Sequence, residues 1–148
     1  WDNRHLFTLS GVYLFRHNWN VGMKFRAMGG APYTPYDLDR SSLVEAWDAR
    51  LQPYYDYTQY NRYRLKAFTQ LDIRVDKIFY FKGVMLGVYI DLQNVLNQKY
   101  RQPDLYVSTG QIDPSTAGLP HGQQRYVMKY IKQESGTILP TLGITVEF

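Results

Sequence analysis

No cysteine occurs in this sequence, so neither a disulfide framework nor a thiolate metal site is open to it. Long apolar runs are missing too: no stretch approaches the ~20 consecutive apolar residues that a membrane-spanning helix needs. A helical membrane protein is thereby excluded. A β-barrel is not, because barrel strands alternate apolar and polar residues and carry a mean hydropathy like that of a soluble protein, here −0.42. Catalytic signals are also sparse. No Ser-His-Asp set, glycine-rich phosphate loop or paired carboxylate is placed together, and His5, His17 and His121 lack metal-ligand spacing, so no enzyme, metal site or cofactor is expected. Trp1-Asp2-Asn3-Arg4-His5 offers neither a basic nor an apolar stretch, so no signal peptide is read there. With no initiating methionine either, the chain reads as a piece of something longer.

Aromatic residues are abundant. Of 148 residues 16% are aromatic, with 14 tyrosines, and 45% are hydrophobic against 20% charged. The net charge of +4 raises the question of nucleic acid, in which basic residues neutralise phosphates and tyrosines stack on bases. The basic residues are scattered without a dense run, so no nucleic-acid partner is expected.

Five segments alternate with a period of two, and each ends where turn residues begin. The first sets Phe7, Leu9, Tyr13 and Phe15 against Thr8 and Ser10; after a turn at His17-Asn18-Trp19-Asn20, the second sets Val21, Met23, Phe25 and Ala27 against Asn20, Gly22, Lys24 and Arg26. Residues 29–66 then read as a structureless connection rich in Gly, Pro, Tyr and charge, a length that in a compact domain marks a functional loop. The third strand sets Leu71, Ile73, Val75 and Phe79 against Gln70, Asp72, Arg74 and Asp76. A tight turn at Phe81-Lys82-Gly83 leads to the fourth, where Val84, Leu86, Val88, Ile90 and Leu92 alternate with Met85, Gly87, Tyr89, Asp91 and Gln93. A second long connection runs from about Asn94 to Gly136, with a possible strand at residues 125–132. The last strand sets Ile138, Leu142, Ile144, Val146 and Phe148 against Thr141, Gly143, Thr145 and Glu147.

Connections that alternate short, long, short, long are those of an antiparallel up-and-down barrel in an outer membrane, with tight periplasmic turns and extended outer loops. Strands of ~10 residues rising ~3.3 Å each and tilted ~40° cover roughly 25 Å of membrane normal, the height of the apolar band. Aromatics cluster at strand ends, with Trp19, Phe79, Tyr80 and Phe81 near the short turns and Tyr33, Tyr36 and Tyr100 near the long ones, as interfacial girdles do. Unpaired backbone in hydrocarbon costs several kcal/mol per group, so an open sheet must be closed by further strands or by copies of itself. The alternative reading is a soluble all-β binding module for single-stranded nucleic acid or carbohydrate.

Two runs are specific: Leu71-Asp72-Ile73-Arg74, and Asp91-Leu92-Gln93-Asn94-Val95-Leu96-Asn97-Gln98-Lys99-Tyr100. Together with the alternating tail Thr141-Leu142-Gly143-Ile144-Thr145-Val146-Glu147-Phe148, they make the chain resemble the late barrel strands of TonB-dependent outer-membrane receptors. The resemblance implies that residues 1–148 are about the last five strands of a 22-stranded transmembrane barrel in the outer membrane of a diderm bacterium. It implies active import of a scarce nutrient, a ferric siderophore, vitamin or glycan. The partners implied are membrane lipid and lipopolysaccharide, a plug domain and further barrel strands, and the TonB energy-coupling protein reached through an N-terminal segment outside this chain.

Two groups of residues carry candidate roles. Lys24, Arg26, Asp72, Arg74, Asp76, Asp91 and Gln93 fall on the polar side of the alternation, where they would line the lumen and hold a plug through charged hydrogen bonds; cross-strand pairing is the plainer role. In the first connection Tyr33, Tyr36, Arg40, Tyr55, Tyr57 and Arg62, and in the second Arg101, Tyr106 and Arg125, would meet ligand by stacking, cation–π contact and attraction of anions. Packing of the loops on one another is the plainer role there.

Overall fold

A computed structural model describes residues 3–148; Trp1 and Asp2, which begin the segment searched for a signal peptide, lie outside the described residues. The first elements are β1 (Leu6–Phe15), β2 (Trp19–Met28), β3 (Pro32–Tyr33), α1 (Leu38–Ser42), α2 (Val44–Asp48) and β4 (Tyr63–Arg64). They are followed by β5 (Phe68–Phe81), β6 (Val84–Gln93), β7 (Tyr100–Arg101), β8 (Leu105–Ile112), β9 (Tyr126–Ile131), β10 (Glu134–Ser135) and β11 (Leu139–Glu147). Single 3-10 turns lie at Tyr57–Gln59 and His121–Gln123. The described residues are mostly strand, the strand pairings among them are antiparallel, and no helix among them is long and apolar enough to cross a membrane. The chain folds as two compact units.

One unit takes the chain up to Gly30 with Lys66–Tyr100 and Ser135–Phe148. It is a single sheet in the order β1-β2-β5-β6-β11, an up-and-down meander whose neighbours in sequence are neighbours in space. The sheet is open, not a closed barrel. The five strands are those the alternation marks, with small corrections at their ends. Trp19 and Asn20 are not turn residues but pair with Phe15 and Leu14, leaving Arg16, His17 and Asn18 to turn the chain with His17 and Asn18 at φ 63 and 61. Phe81 pairs with Val84, so Lys82 and Gly83 alone close the second turn. Gly83 has φ 78, a conformation that glycine adopts without Cβ strain.

The register decides which residues share a face, since partners across antiparallel strands point the same way. Val21, Val75, Ile90 and Leu142 form one row across four strands, while Gly22, Arg74, Asp91 and Thr141 form the next row on the opposite face. The apolar face has no protein packed on it: Ile90 is 50% exposed, Leu142 70% and Ile144 66%. A water-soluble sheet of this size would bury such a row.

The other unit comprises Ala31–Leu65 and Arg101–Glu134. Neither connection is structureless, which corrects the sequence reading. In the first, Asp37 caps α1 by accepting a hydrogen bond from the Arg40 N–H at 2.9 Å, and β3 pairs with β4. In the second, β8 and β9 form a hairpin with a bulge between Ser108 and Ile112; the strand expected at residues 125–132 is β9. The core of this unit is small, with Val44, Trp47, Tyr106 and the fully buried Ser41. Ser41 Oγ accepts from the Tyr54 N–H at 2.8 Å.

Candidate functional site

Lys24, Arg26, Asp72, Arg74, Asp76, Asp91 and Gln93 all lie on the polar face of the sheet. Six of them, Asp76 excepted, border an open concavity of about 650 Å³ together with Ser10 and Gly22. Strand alternation alone brings them there, because β2, β5 and β6 each present every second residue to that side.

Asp72 is the hub of this face. Its Oδ2 accepts from Arg26 Nη2 at 3.2 Å, while Oδ1 accepts from Gln70 Nε2 at 2.8 Å and from the Asn94 N–H at 2.9 Å. Asn94, 6% exposed and at φ 54, turns the chain as it leaves β6. Its side-chain amide donates to the carbonyls of Gln98 (3.0 Å) and Thr137 (3.3 Å), and its Oδ1 accepts from the Gln98 N–H at 3.0 Å. One carboxylate thus ties β2, β5 and the segment after β6 together. Lys24 lies directly opposite Asp72, but that carboxylate is taken, and among the described residues the Lys24 ammonium makes no ion pair. Arg26 Nε is buried and has no hydrogen-bond partner among the described residues.

Further along the face, Arg74 grips Asp76 through Nε (3.0 Å) and Nη2 (2.7 Å), and its guanidinium carbon lies 3.9 Å from the centre of the Tyr89 ring. The Tyr89 ring in turn occupies the space beside Gly143, its register partner in β11. Sequence reasoning did not single out Tyr89. The signal was the coincidence of a glycine in the tail with a large ring on the same side of β6. A Cβ at position 143 would lie 2.1 Å from Tyr89 Cζ, so Gly143→Ala must swing the ring out of its stack with Arg74. The expected loss is about 1–2 kcal/mol, from overpacking and the weakened cation–π contact. Comparison of denaturant midpoints with wild type checks it, and Gly143→Ala at wild-type stability would show that the ring is not held there.

In the second unit the loop tyrosines form a chain of rings. Tyr57 and Tyr55 are 6.2 Å apart, Tyr55 and Tyr36 5.0 Å, Tyr36 and Tyr106 6.2 Å, and Tyr106 and Tyr130 4.8 Å. Four of these five were candidates from sequence. Tyr130 was not, although its place in β9 beside Tyr106 in β8 follows from the hairpin register. Tyr33 stands with Tyr63 at 5.9 Å. The arginines are dispersed. Arg40 and Arg50 lie 4.1 and 4.6 Å from the centre of the Tyr54 ring. Arg101 pairs with Glu134 at 2.9 Å, and Arg62 follows the 3-10 turn in an exposed position. Arg125 fastens the second connection to the first, donating to Ser42 Oγ at 2.6 Å and to the Asp39 carbonyl at 2.7 Å and pairing with the Asp39 carboxylate at 2.9 Å.

Enclosure changes the acidity of these phenols. Burial, then the neighbouring Tyr55 and its hydrogen bond, pushes Tyr36 from the ordinary 10.0 to about 12. Burial also raises Tyr106 and Tyr130. Asp56 is held below the usual carboxylate range by hydrogen bonds from Thr58 and Gln59. A phenol whose folded pKa exceeds its unfolded one contributes stability that is complete below the unfolded value and lost as pH rises through the folded one. The unit is therefore expected to weaken as pH climbs from 10.0 toward about 12. Absorbance titration should show a late-ionising phenol that Tyr36→Phe removes; a Tyr36→Phe titration identical to wild type in that range would contradict the assignment.

Compared with protein-family models, with curated proteins and with solved structures, the chain matches none.

Proposed function

We propose that this chain is a wall segment of an outer-membrane β-barrel, and that the barrel is a TonB-dependent importer of a scarce nutrient such as a ferric siderophore, a vitamin or a glycan. The observation that carries the barrel reading is the two-faced sheet. Five antiparallel strands expose a continuous apolar face on one side and present a charged, hydrogen-bonded face on the other. Lipid solvates the first kind of surface and an aqueous lumen the second. The two short turns fall at one end of the sheet and the two long connections start from the other, in keeping with periplasmic turns and outer loops. The importer half of the proposal rests on the resemblance of the Leu71–Arg74 and Asp91–Tyr100 runs.

On this reading five strands are the last part of a 22-stranded barrel, and β1 and β11 bond to strands outside this chain. The Asp72 and Arg74 networks brace the inner wall. Lys24, which makes no ion pair among the described residues, and Arg26, whose Nε has no partner among them, donate hydrogen bonds to a plug domain. The tyrosine chain supplies one side of a nutrient pocket by stacking. Lipid and lipopolysaccharide surround the wall, and TonB acts through a segment elsewhere.

The barrel reading is tested by reconstituting the chain in phosphatidylcholine vesicles containing lipids brominated along the acyl chain. Strong quenching of its fluorescence is expected, together with insolubility in the absence of detergent. A monomeric, soluble chain in plain buffer would sink the proposal. The importer reading is tested by the coding sequence upstream of this segment in the same reading frame: a plug domain there is expected, and its absence would overturn the reading.

A further inference from the structure

Among the described residues, one charged side chain lies on the apolar face of the sheet. Lys77 pairs with Trp19 in β2 and with Val88 in β6, in a row that continues to Phe15 in β1 and Ile144 in β11. The rows on either side, containing Val75 and Phe79, are uncharged. A lone ammonium among aromatic and aliphatic groups needs partners, because a charge left without them in an apolar setting is costly.

The strand ends supply some. β5 runs on to Phe81, whereas the β1–β2 turn closes beside Lys77, so the ammonium meets backbone at that height. Lys77 Nζ donates to the His17 carbonyl, which the left-handed His17 and Asn18 bring to it. It lies 5.1 Å from the Trp19 ring centre and 5.4 Å from that of Phe79. An ammonium has three donors, and His17 uses one. The Trp19 indole N–H has no hydrogen-bond partner among the described residues, and Arg16, in the same turn, adds an exposed cation. A lysine that merely reached for water would extend past the rings. This one is turned back onto the hairpin and held by the His17 carbonyl, which leaves two of its donors without a partner among the described residues.

We propose that Lys77 and Trp19 form a binding site for the phosphate of an anionic phospholipid, in the leaflet at the short-turn end of the sheet. The inference rests on the membrane reading above and deepens it. Charge complementarity selects the occupant: a fixed cation with two free N–H groups and an indole donor matches a phosphodiester, and the flanking rings accept the upper acyl chain.

The test uses the closed barrel of which the proposal makes this chain a part, in phosphatidylcholine vesicles, with spin-labelled phosphatidylglycerol or spin-labelled phosphatidylcholine as the reporter of lipid held at the protein surface. Phosphatidylglycerol is expected to be favoured roughly fivefold at low salt, and the preference is expected to shrink toward unity in about 1 M salt. Lys77→Gln should abolish it, Lys77→Arg should keep it, and Lys129→Gln, the same charge change in β9, should leave it intact. Retention of the full preference in Lys77→Gln, or equal immobilisation of both lipids by wild type, would overturn the proposal. Should Lys77→Gln not insert, a wild-type preference that survives about 1 M salt overturns it as well. Displacement of the labelled lipid by inorganic phosphate at constant ionic strength would assign the site to free phosphate instead. If neither lipid is immobilised at all, the membrane reading itself fails, a result distinct from the loss of selectivity.

Discussion

Ile90→Arg is expected to destabilise the intact barrel that the proposal requires by about 2–4 kcal/mol, the depth-dependent cost of a cation on the lipid face of a barrel strand. Ile90 stands in the apolar row between Val75 and Leu142 and is half exposed, so on the barrel proposal an arginine there would have only acyl chains around its head. Gln93→Arg, on the polar face, should stay within about 0.5 kcal/mol, since Gln93 already donates to Asp91 Oδ2 at 3.3 Å and a guanidinium would find the same carboxylate. Thr141→Arg is a second control at similar height, because Thr141 pairs with Asp91. Guanidinium titrations in vesicles give all three values. Equal losses at Ile90 and at the two polar-face positions would mean that both faces meet water, and the barrel proposal would fall with them.

Asp72→Ala is expected to cost about 2–3 kcal/mol, for a reason confined to one carboxylate. Three donors from β2, β5 and the turn after β6 converge on it. Removing it leaves the Asn94 N–H without an acceptor in a position that is 6% exposed, and hydrogen bonds to a charged group are worth about 1.5–3 kcal/mol. Arg26 would also lose its only ion pair among the described residues. Asp72→Asn should recover part of the loss, because one amide oxygen can still accept from Asn94 while the attraction to Arg26 is gone. Hydrogen exchange separates the effects: the Asn94 amide should exchange faster in Asp72→Ala than in Asp72→Asn. An unchanged rate in both would show that the turn stands without the carboxylate.

How much of this was legible in the sequence follows from where each signal comes from. Alternation is a property of half-buried strands, and it located all five sheet strands and the charged residues of the polar face, but not Lys77, which breaks the pattern by standing on the apolar side. Val84–Gln93 was read to the residue, because Gly83 marks its start and the polar Asn94 its end. The first turn was read two residues too long: Trp19 and Asn20 were included in it, Asn20 also at the start of the second strand where it belongs, and the left-handed positions are His17 and Asn18. The long connections were opaque for another reason. Helices of five residues such as α1 and α2 are shorter than the span over which helical periodicity can be detected. Strand β8 lies between Pro103 and Pro114 and is broken by Gly110 at φ 78 and a bulge, so its alternation is blurred. The tyrosine chain needs both connections at once, and no local pattern announces that Tyr36 will stand beside Tyr106. The capping Asp37 and Asp56 were visible as residues, but their role depends on the N–H groups that fold back onto them.

The two border strands of the sheet run in the same direction, since four successive reversals separate β1 from β11. Identical sheets joined rim to rim in a ring would therefore meet along parallel ladders, which sit badly beside antiparallel ones of fixed handedness and tight turns. Only an odd number of interposed strands lets the circle shut with alternating polarity throughout. That parity rule makes self-assembly the poorer solution for this chain and gives any proposed companion segment a simple arithmetic condition to meet.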